Sequence, residues 1–427
     1  MSDSRVSRRS VLATGAAGLG AALAGCSGGG GGGASESDTI KIGVLEDQSG
    51  NFSLVGTPKW RASKLAVEEI NENGGIMDKQ VELFDPDPQS DNERYQQLTE
   101  RLIQQENVDA LWAGYSSATR EAIRPIIDRE DQLYFYTTQY EGGVADKNVY
   151  CMGPTARQQL GSVVPYMIEN FGTDIYTIAA DYNFGQLSAD WVKVIAQENG
   201  ASVNNEEFIP LSNQNFGSTI SNIQEADPDF VMAILVGNNH SSFWNQRTSA
   251  GLDIPMGTST VMAQGYQHKR LDAPALKDVY GGFNYMEEIP TERNQNYVDR
   301  YYNRWPDAGY ANEESVNNYF SIYMYKNAVE EAGTTDQAAV RDALESGQRI
   351  TGSRSPEGDI NFQPNVHHMT HNMRVMKCDA EHNITVEDQR RIPEQFLSET
   401  VGINLTDKDS EMEKQFTPAE YYDAAGQ

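Results

Sequence analysis

The chain is short of basic residues: 33 lysines and arginines stand against 62 aspartates and glutamates, a formal net charge of −29 over 427 residues. An acidic excess of that size repels phosphate backbones and anionic lipid headgroups, which argues against nucleic acid as a partner. The acids are spread along the chain instead of gathered in one tail. That is the pattern of a solvated surface, of the kind that keeps a protein soluble in the concentrated salt of a halophilic cell. Catalytic signatures are missing as well: there is no G-x-S-x-G elbow, no P-loop, no H-E-x-x-H and no G-x-G-x-x-G after a strand. Cysteine is scarce, at 3 residues. Past residue 24 no apolar run is long enough to span a bilayer. What is present suits two ordinary globular lobes: a 38% hydrophobic share with 14 Phe, 21 Tyr and 5 Trp.

The first residues read as an address. Ser7-Arg8-Arg9-Ser10-Val11-Leu12 is a twin-arginine pair, followed by an apolar run over 11–24 that is too short for a comfortable transmembrane helix. The run ends in Leu23-Ala24-Gly25-Cys26, which resembles the lipobox of secreted lipoproteins, where the cysteine carries the lipid. Residues 1–25 are therefore expected to be an export signal and 26–38 a glycine-rich tether, with Cys26 anchoring the protein to the outer face of the cell membrane. Cys151 and Cys378 remain. An oxidising compartment allows them to pair, whereas folding in a reducing cytoplasm before twin-arginine export favours two buried free thiols.

From residue 40 onward short apolar strands alternate with helices. Strands are expected over 40–45, 81–85, 108–114 and 133–136, with helices over 58–73 (Pro58 opening the first), 91–106 and from 117. The pattern then repeats with strands over 176–180, 230–236 and 279–285. Helices are expected over 157–170, 185–199, 216–225 and 241–250, and three more over 294–305, 315–332 and 336–346. The end is weaker, with strands over 358–362 and 373–378 and a frayed tail. Such alternation predicts an α/β fold of parallel sheets in βαβ units, and in open parallel sheets ligands bind beyond the carboxyl ends of the strands.

Four strand-end loops are rich in short polar and aromatic residues: Tyr115-Ser116-Ser117-Ala118-Thr119-Arg120, Tyr136-Thr137-Thr138-Gln139-Tyr140-Glu141-Gly142, Asp181-Tyr182-Asn183-Phe184 and Gly237-Asn238-Asn239-His240. Each alone is explained by ordinary helix capping. Their common place at one sheet edge favours a ligand.

These loops also carry a resemblance. From about Ile40 to Ile384 the chain resembles the periplasmic-binding-protein type I group that serves branched-chain amino acid and amide importers, and within it is most similar to urea and short-chain amide binding proteins. The block Tyr134-Phe135-Tyr136-Thr137-Thr138-Gln139-Tyr140-Glu141-Gly142 is its most specific part. Arg157-Gln158-Gln159, Ile209-Pro210-Leu211 and Asn365-Val366-His367-His368 add weaker matches. The resemblance implies a two-lobed clamp, each lobe a parallel sheet flanked by helices, with three hinge crossings near Gly153, Asn284 and Glu357. Lobe 1 would be 39–153 plus 284–357 and lobe 2 would be 154–283 plus 358–427. It implies a monomer without cofactor, metal or catalysis that hands a small polar solute to the permease and ATPase subunits of an ABC importer.

The implied ligand contacts are Tyr115, Ser116, Ser117, Tyr136, Thr137 and Thr138 from one lobe and Tyr182 and Asn238 from the other. The Tyr136→Ala and Tyr182→Ala variants are each expected to weaken binding without unfolding the protein. The chain departs from the urea type where Gly237-Asn238-Asn239 and Val261-Met262-Ala263 replace acids, so an amino acid is the alternative ligand, with Glu141, Asp181 or Glu287 receiving its ammonium group. An amide-sensing receptor of the same fold is a further alternative, against which the export signal argues. His367, His368 and His371 form the only histidine cluster; without cysteines or acids at ligand spacing it reads as structural.

Overall fold

The computed structural model describes residues 39–236, 240–407 and 414–426. The expected signal, Cys26, the tether and Asn238 lie outside the described residues.

Short apolar runs buried on both faces form the strands, and the segments between them bury one face as helices. In the first sheet β1 (Thr39–Leu45), β2 (Gln80–Phe84), β3 (Ala110–Ala113), β4 (Tyr134–Tyr136) and, after the two-residue β5 (Val144–Ala145), β6 (Val149–Cys151) run parallel in the order β2-β1-β3-β4-β6. In the second, β7 (Asp174–Ala180), β8 (Ser202–Ile209), β9 (Phe230–Ile234), β10 (Met256–Thr258) and β11 (Val279–Phe283) run parallel in the order β8-β7-β9-β10-β11. The two-lobed α/β architecture is therefore as expected.

The lobes are not purely parallel, however. β12 (Arg349–Ile350), β13 (Ile360–Gln363), β14 (His368–Cys378) and β15 (Ile384–Ile392) add antiparallel pairs. β14 belongs to both sheets: His368 pairs with Cys151 of β6, while Arg374 to Cys378 pair with Phe283 to Val279 of β11. The chain thus passes from the first sheet into the second inside β14.

Four parts of the chain differ from expectation for identifiable reasons. α1 (Ser53–Glu72) begins ahead of Pro58, which sits inside it. Its first turn is docked on the end of β1: a Cβ on Gly56 would lie 2.3 Å from the Asp47 carbonyl oxygen, so only glycine permits the approach. β8 and β15 escape the hydrophobic pattern because they are largely polar and exposed. The tail is not frayed: β16 (Lys414–Gln415) pairs with β5, and Phe416 is buried.

β14 also decides the cysteines. Cys151 is level with its first residue and Cys378 is its last, ten residues and roughly 33 Å of extended strand away. A disulfide needs Cα atoms within about 7 Å. Both cysteines are free and buried, and burial pushes each thiol up to about 12.

The core of the first lobe is aromatic. Trp112 stacks on Phe135 at 4.6 Å and donates from Nε1 to Ser321 Oγ at 2.8 Å. Ser321 lies on the helix Glu313–Ala332, which packs along α1 and is buried at every residue from Glu313 to Tyr325. That stretch includes Glu313, Glu314, Asn317 and Asn318, polar groups that need partners in the interior.

Candidate functional site

Five strand ends converge on one cavity. β3 and β4 supply Tyr115, Ser116, Ser117, Tyr136, Thr138 and Gln139; from the second sheet come Tyr182, Phe184, Val236 and Gln264. The cavity is small, about 10 Å³, which is room for about one water. No lysine or arginine lines it among the described residues.

Each polar wall is held from behind. Ser116 is the N-cap of α3 (Ser117–Glu130), its Oγ accepting from the Thr119 N–H at 3.1 Å. Capping and a place at the cavity are therefore both true of this residue. The helix N-terminus beside it favours an acceptor oxygen or an anion. Tyr136 donates to the Tyr115 carbonyl at 3.1 Å and Thr138 to the Gly114 carbonyl at 3.1 Å. Lys59, fully buried on α1, donates to Thr138 Oγ1 at 2.8 Å and Gly114 O at 2.9 Å and pairs with Glu46 Oε2 at 2.9 Å. The three contacts occupy the three protons of its ammonium. Burial raises Glu46 to about 7, against the opposing pull of Lys59 and Asn318.

Glu141 is buried behind this wall. Its carboxylate accepts from Ser117 Oγ (2.5 Å), Arg120 (3.1 Å), Asn183 (2.9 Å) and Gln415 (2.6 Å), groups drawn from both sheets and the tail. With four donors on it, it has little capacity left for a ligand ammonium. Arg120 is itself fully buried, bonded to Glu121 and lying over the rings of Tyr136 and Tyr140 at 5.0 and 4.8 Å.

The other expected residues fall elsewhere. Thr137 alternates to the opposite face and donates to Asn318. Asp181 is exposed and accepts from Gln186. Glu287 accepts from Tyr302 and the Ala311 N–H, and burial raises it to about 7. None of the three lines the cavity. The histidines are engaged singly: His367 with Glu345, His368 with Tyr140 and the Val366 carbonyl, His371 with Glu357.

Gln139, Phe184, Val236 and Gln264 were not among the expected contacts. The same edge rule points to Gln264 once the three-residue β10 is recognised, since Gln264 lies in the loop that follows it. Glu314, which accepts from Gln264 Nε2 at 2.6 Å, has no such signal. Burial raises it to about 7, with Lys59 and Gln264 pulling the other way.

Residues 39–383 match the family model described as periplasmic binding protein. Among curated proteins, the Leu/Ile/Val-binding protein homolog 7 of Brucella abortus (strain 2308) is 25% identical over 334 residues, 73% of this chain and 82% of that protein. Among solved structures, a solute binding protein of an ABC transporter from Rhodopseudomonas palustris BisB5, in complex with 3,4-dihydroxy benzoic acid, superposes with a TM-score of 0.74 at 18% identity, covering 83% of this chain and 98% of that one. The branched-chain amino acid transporter substrate binding protein LivJ from Streptococcus pneumoniae, in complex with isoleucine, gives 0.70 at 17% identity, covering 83% and 99%.

Proposed function

We propose that this chain, which belongs to the periplasmic binding protein family and is a solute-binding protein rather than an enzyme, captures urea or a short-chain amide for an ABC importer. The carrying observation is the make-up of the cavity: hydroxyls of Tyr115, Ser116, Ser117, Tyr136, Thr138 and Tyr182, the amides of Gln139 and Gln264 and, among the described residues, no lysine or arginine. Urea and simple amides are uncharged and present one carbonyl acceptor beside N–H donors. Ser117, Tyr136 and Thr138, whose protons go to Glu141, Tyr115 and Gly114, are left to accept, while the Tyr115 and Tyr182 hydroxyls can serve in either sense. Once water is excluded, each ligand or wall group left unpaired costs about 1–3 kcal/mol, so selectivity follows from matching. With room for about one water in the present arrangement, a solute of several heavy atoms enters only when the lobes part. Capture is then opening followed by closure.

The lobe boundaries near Gly153 and Asn284 belong to this proposal, with the third crossing moved from Glu357 into β14. So do docking on permease and ATPase subunits and the lipid anchor at Cys26, which rests on Arg8-Arg9 and the Leu23 to Cys26 run. A second reading, a branched-chain amino acid, is favoured by one feature: the N-terminus of α3 at the cavity wall would suit a carboxylate.

A thermal-shift screen of the protein in concentrated salt tests the proposal, with urea, short amides, branched-chain amino acids and benzoate as ligands. Urea or an amide is expected to raise the melting temperature, since ligand at 100 times its Kd adds about 2.7 kcal/mol. A rise with amino acids or benzoate alone would move the ligand class.

A further inference from the structure

We infer that Gln139 and Glu314 together read the amide group of the ligand, Gln139 Nε2 donating to its carbonyl and Glu314 Oε2 accepting from its N–H. The inference rests on the amide reading above.

Both side chains are buried, Gln139 at 3% and Glu314 at 0% exposure. Gln139 Oε1 is taken by Gln159 Nε2, which also donates to the Ser259 carbonyl at 3.2 Å, and this leaves Gln139 Nε2 without a partner among the described residues. Glu314 Oε1 is taken by Gln264 and the carboxylate also faces the Gln139 backbone N–H, while Oε2 has no side-chain donor on it. Gln139 and Gln264 both line the cavity; Glu314 is behind Gln264 and meets a ligand where the Gln264 side chain gives way. Its charge reaches across that space: burial raises the phenols of Tyr115 and Tyr182, and Glu314 adds to the rise in both.

Native interiors leave few buried polar atoms unpaired, and those that are left commonly await a ligand or water. Here one is a donor and the other an acceptor. A primary amide presents their complement on a single carbon. A carboxylate of the same shape would satisfy Gln139 but, above about pH 7, where Glu314 is ionised, set its second oxygen against the Glu314 carboxylate. A ketone would leave Glu314 unpaired. Lys59 offers no donor to either, its protons being used by Gly114, Thr138 and Glu46.

Titration calorimetry of the full chain with acetamide and with its isostere acetate tests this. The wild type is expected to bind acetamide well in preference to acetate. Glu314→Gln should weaken acetamide binding about tenfold or more and bring the preference for acetamide over acetate toward one. Gln139→Met should weaken acetamide by a similar factor. A folded Glu314→Gln protein with unchanged acetamide affinity and unchanged preference would overturn the inference and leave the proposed function standing. A wild type that binds no amide would overturn both. Should Glu314→Gln fail to fold, Gln139→Met decides: wild-type acetamide affinity in that variant overturns the inference.

Discussion

Replacing Arg120 with Met is expected to destabilise the protein by about 3–5 kcal/mol, the usual loss when one member of a buried ion pair is removed. Arg120 and Glu141 are both fully buried and meet at 3.1 Å. The guanidinium also lies over Tyr136 and Tyr140, so the truncation opens space between two rings as well as stranding a carboxylate. Glu141 would keep Ser117, Asn183 and Gln415 as donors but lose its one ion-pair partner among the described residues. Unfolding in guanidinium chloride measures the effect; urea is unsuitable because it is itself a candidate ligand. Adding Glu141→Leu to Arg120→Met should recover much of the loss, because a buried pair replaced whole by apolar groups is often close to neutral. An Arg120→Met protein within about 1 kcal/mol of wild type would show that the pair does not hold the wall.

The two tyrosines expected from sequence to behave alike should separate. Tyr182 is half-buried, sits at the head of α5 (Asn183–Glu198) and touches Phe184 at 6.1 Å between ring centres. Tyr182→Ala removes one side of the cavity at the margin of the second lobe's core, against which Tyr182 packs only partly buried. Ligand affinity should fall about tenfold or more with little change in melting temperature. Tyr136 has no exposure, packs edge-on against Tyr134 and Tyr140, and bonds to Tyr115. Tyr136→Ala should therefore cost about 3–5 kcal/mol of stability in addition to affinity. The sequence alone leads one to expect a Tyr136→Ala protein that stays folded; the burial of Tyr136 adds a large loss of stability to that expectation. The pair is checked by melting curves and titrations on the same preparations; equal stability of the two variants would contradict the account.

The difference between these tyrosines shows what a sequence carries. Strands such as β1, β7 and β9 are legible because burial on both faces makes them continuous apolar runs. The loops at strand carboxyl ends then follow from topology, and the family resemblance singles out Tyr115, Ser116, Ser117, Tyr136, Thr138 and Tyr182 within them. β8 and β15 lie at or near the outside of the second sheet and show no such runs. Three residues of β10 are too few to display a period, and Gln264 was lost with them. Facing is harder still. Thr137 and Thr138 are neighbours in sequence, yet one turns to Asn318 and the other to the cavity, which requires the strand register. Glu314 is the limiting case: its meeting with Gln264 depends on how a helix of one segment packs against a loop of another, and no local pattern encodes that.

The central claim is that two lobes close on a solute held between the β3, β4 and β7 strand ends. Small-angle X-ray scattering of the full chain, recorded alone and with the saturating ligand that raises the melting temperature most, tests it directly. A smaller radius of gyration with ligand is the predicted result. Superimposable profiles, with the ligand demonstrably bound, would contradict capture by closure.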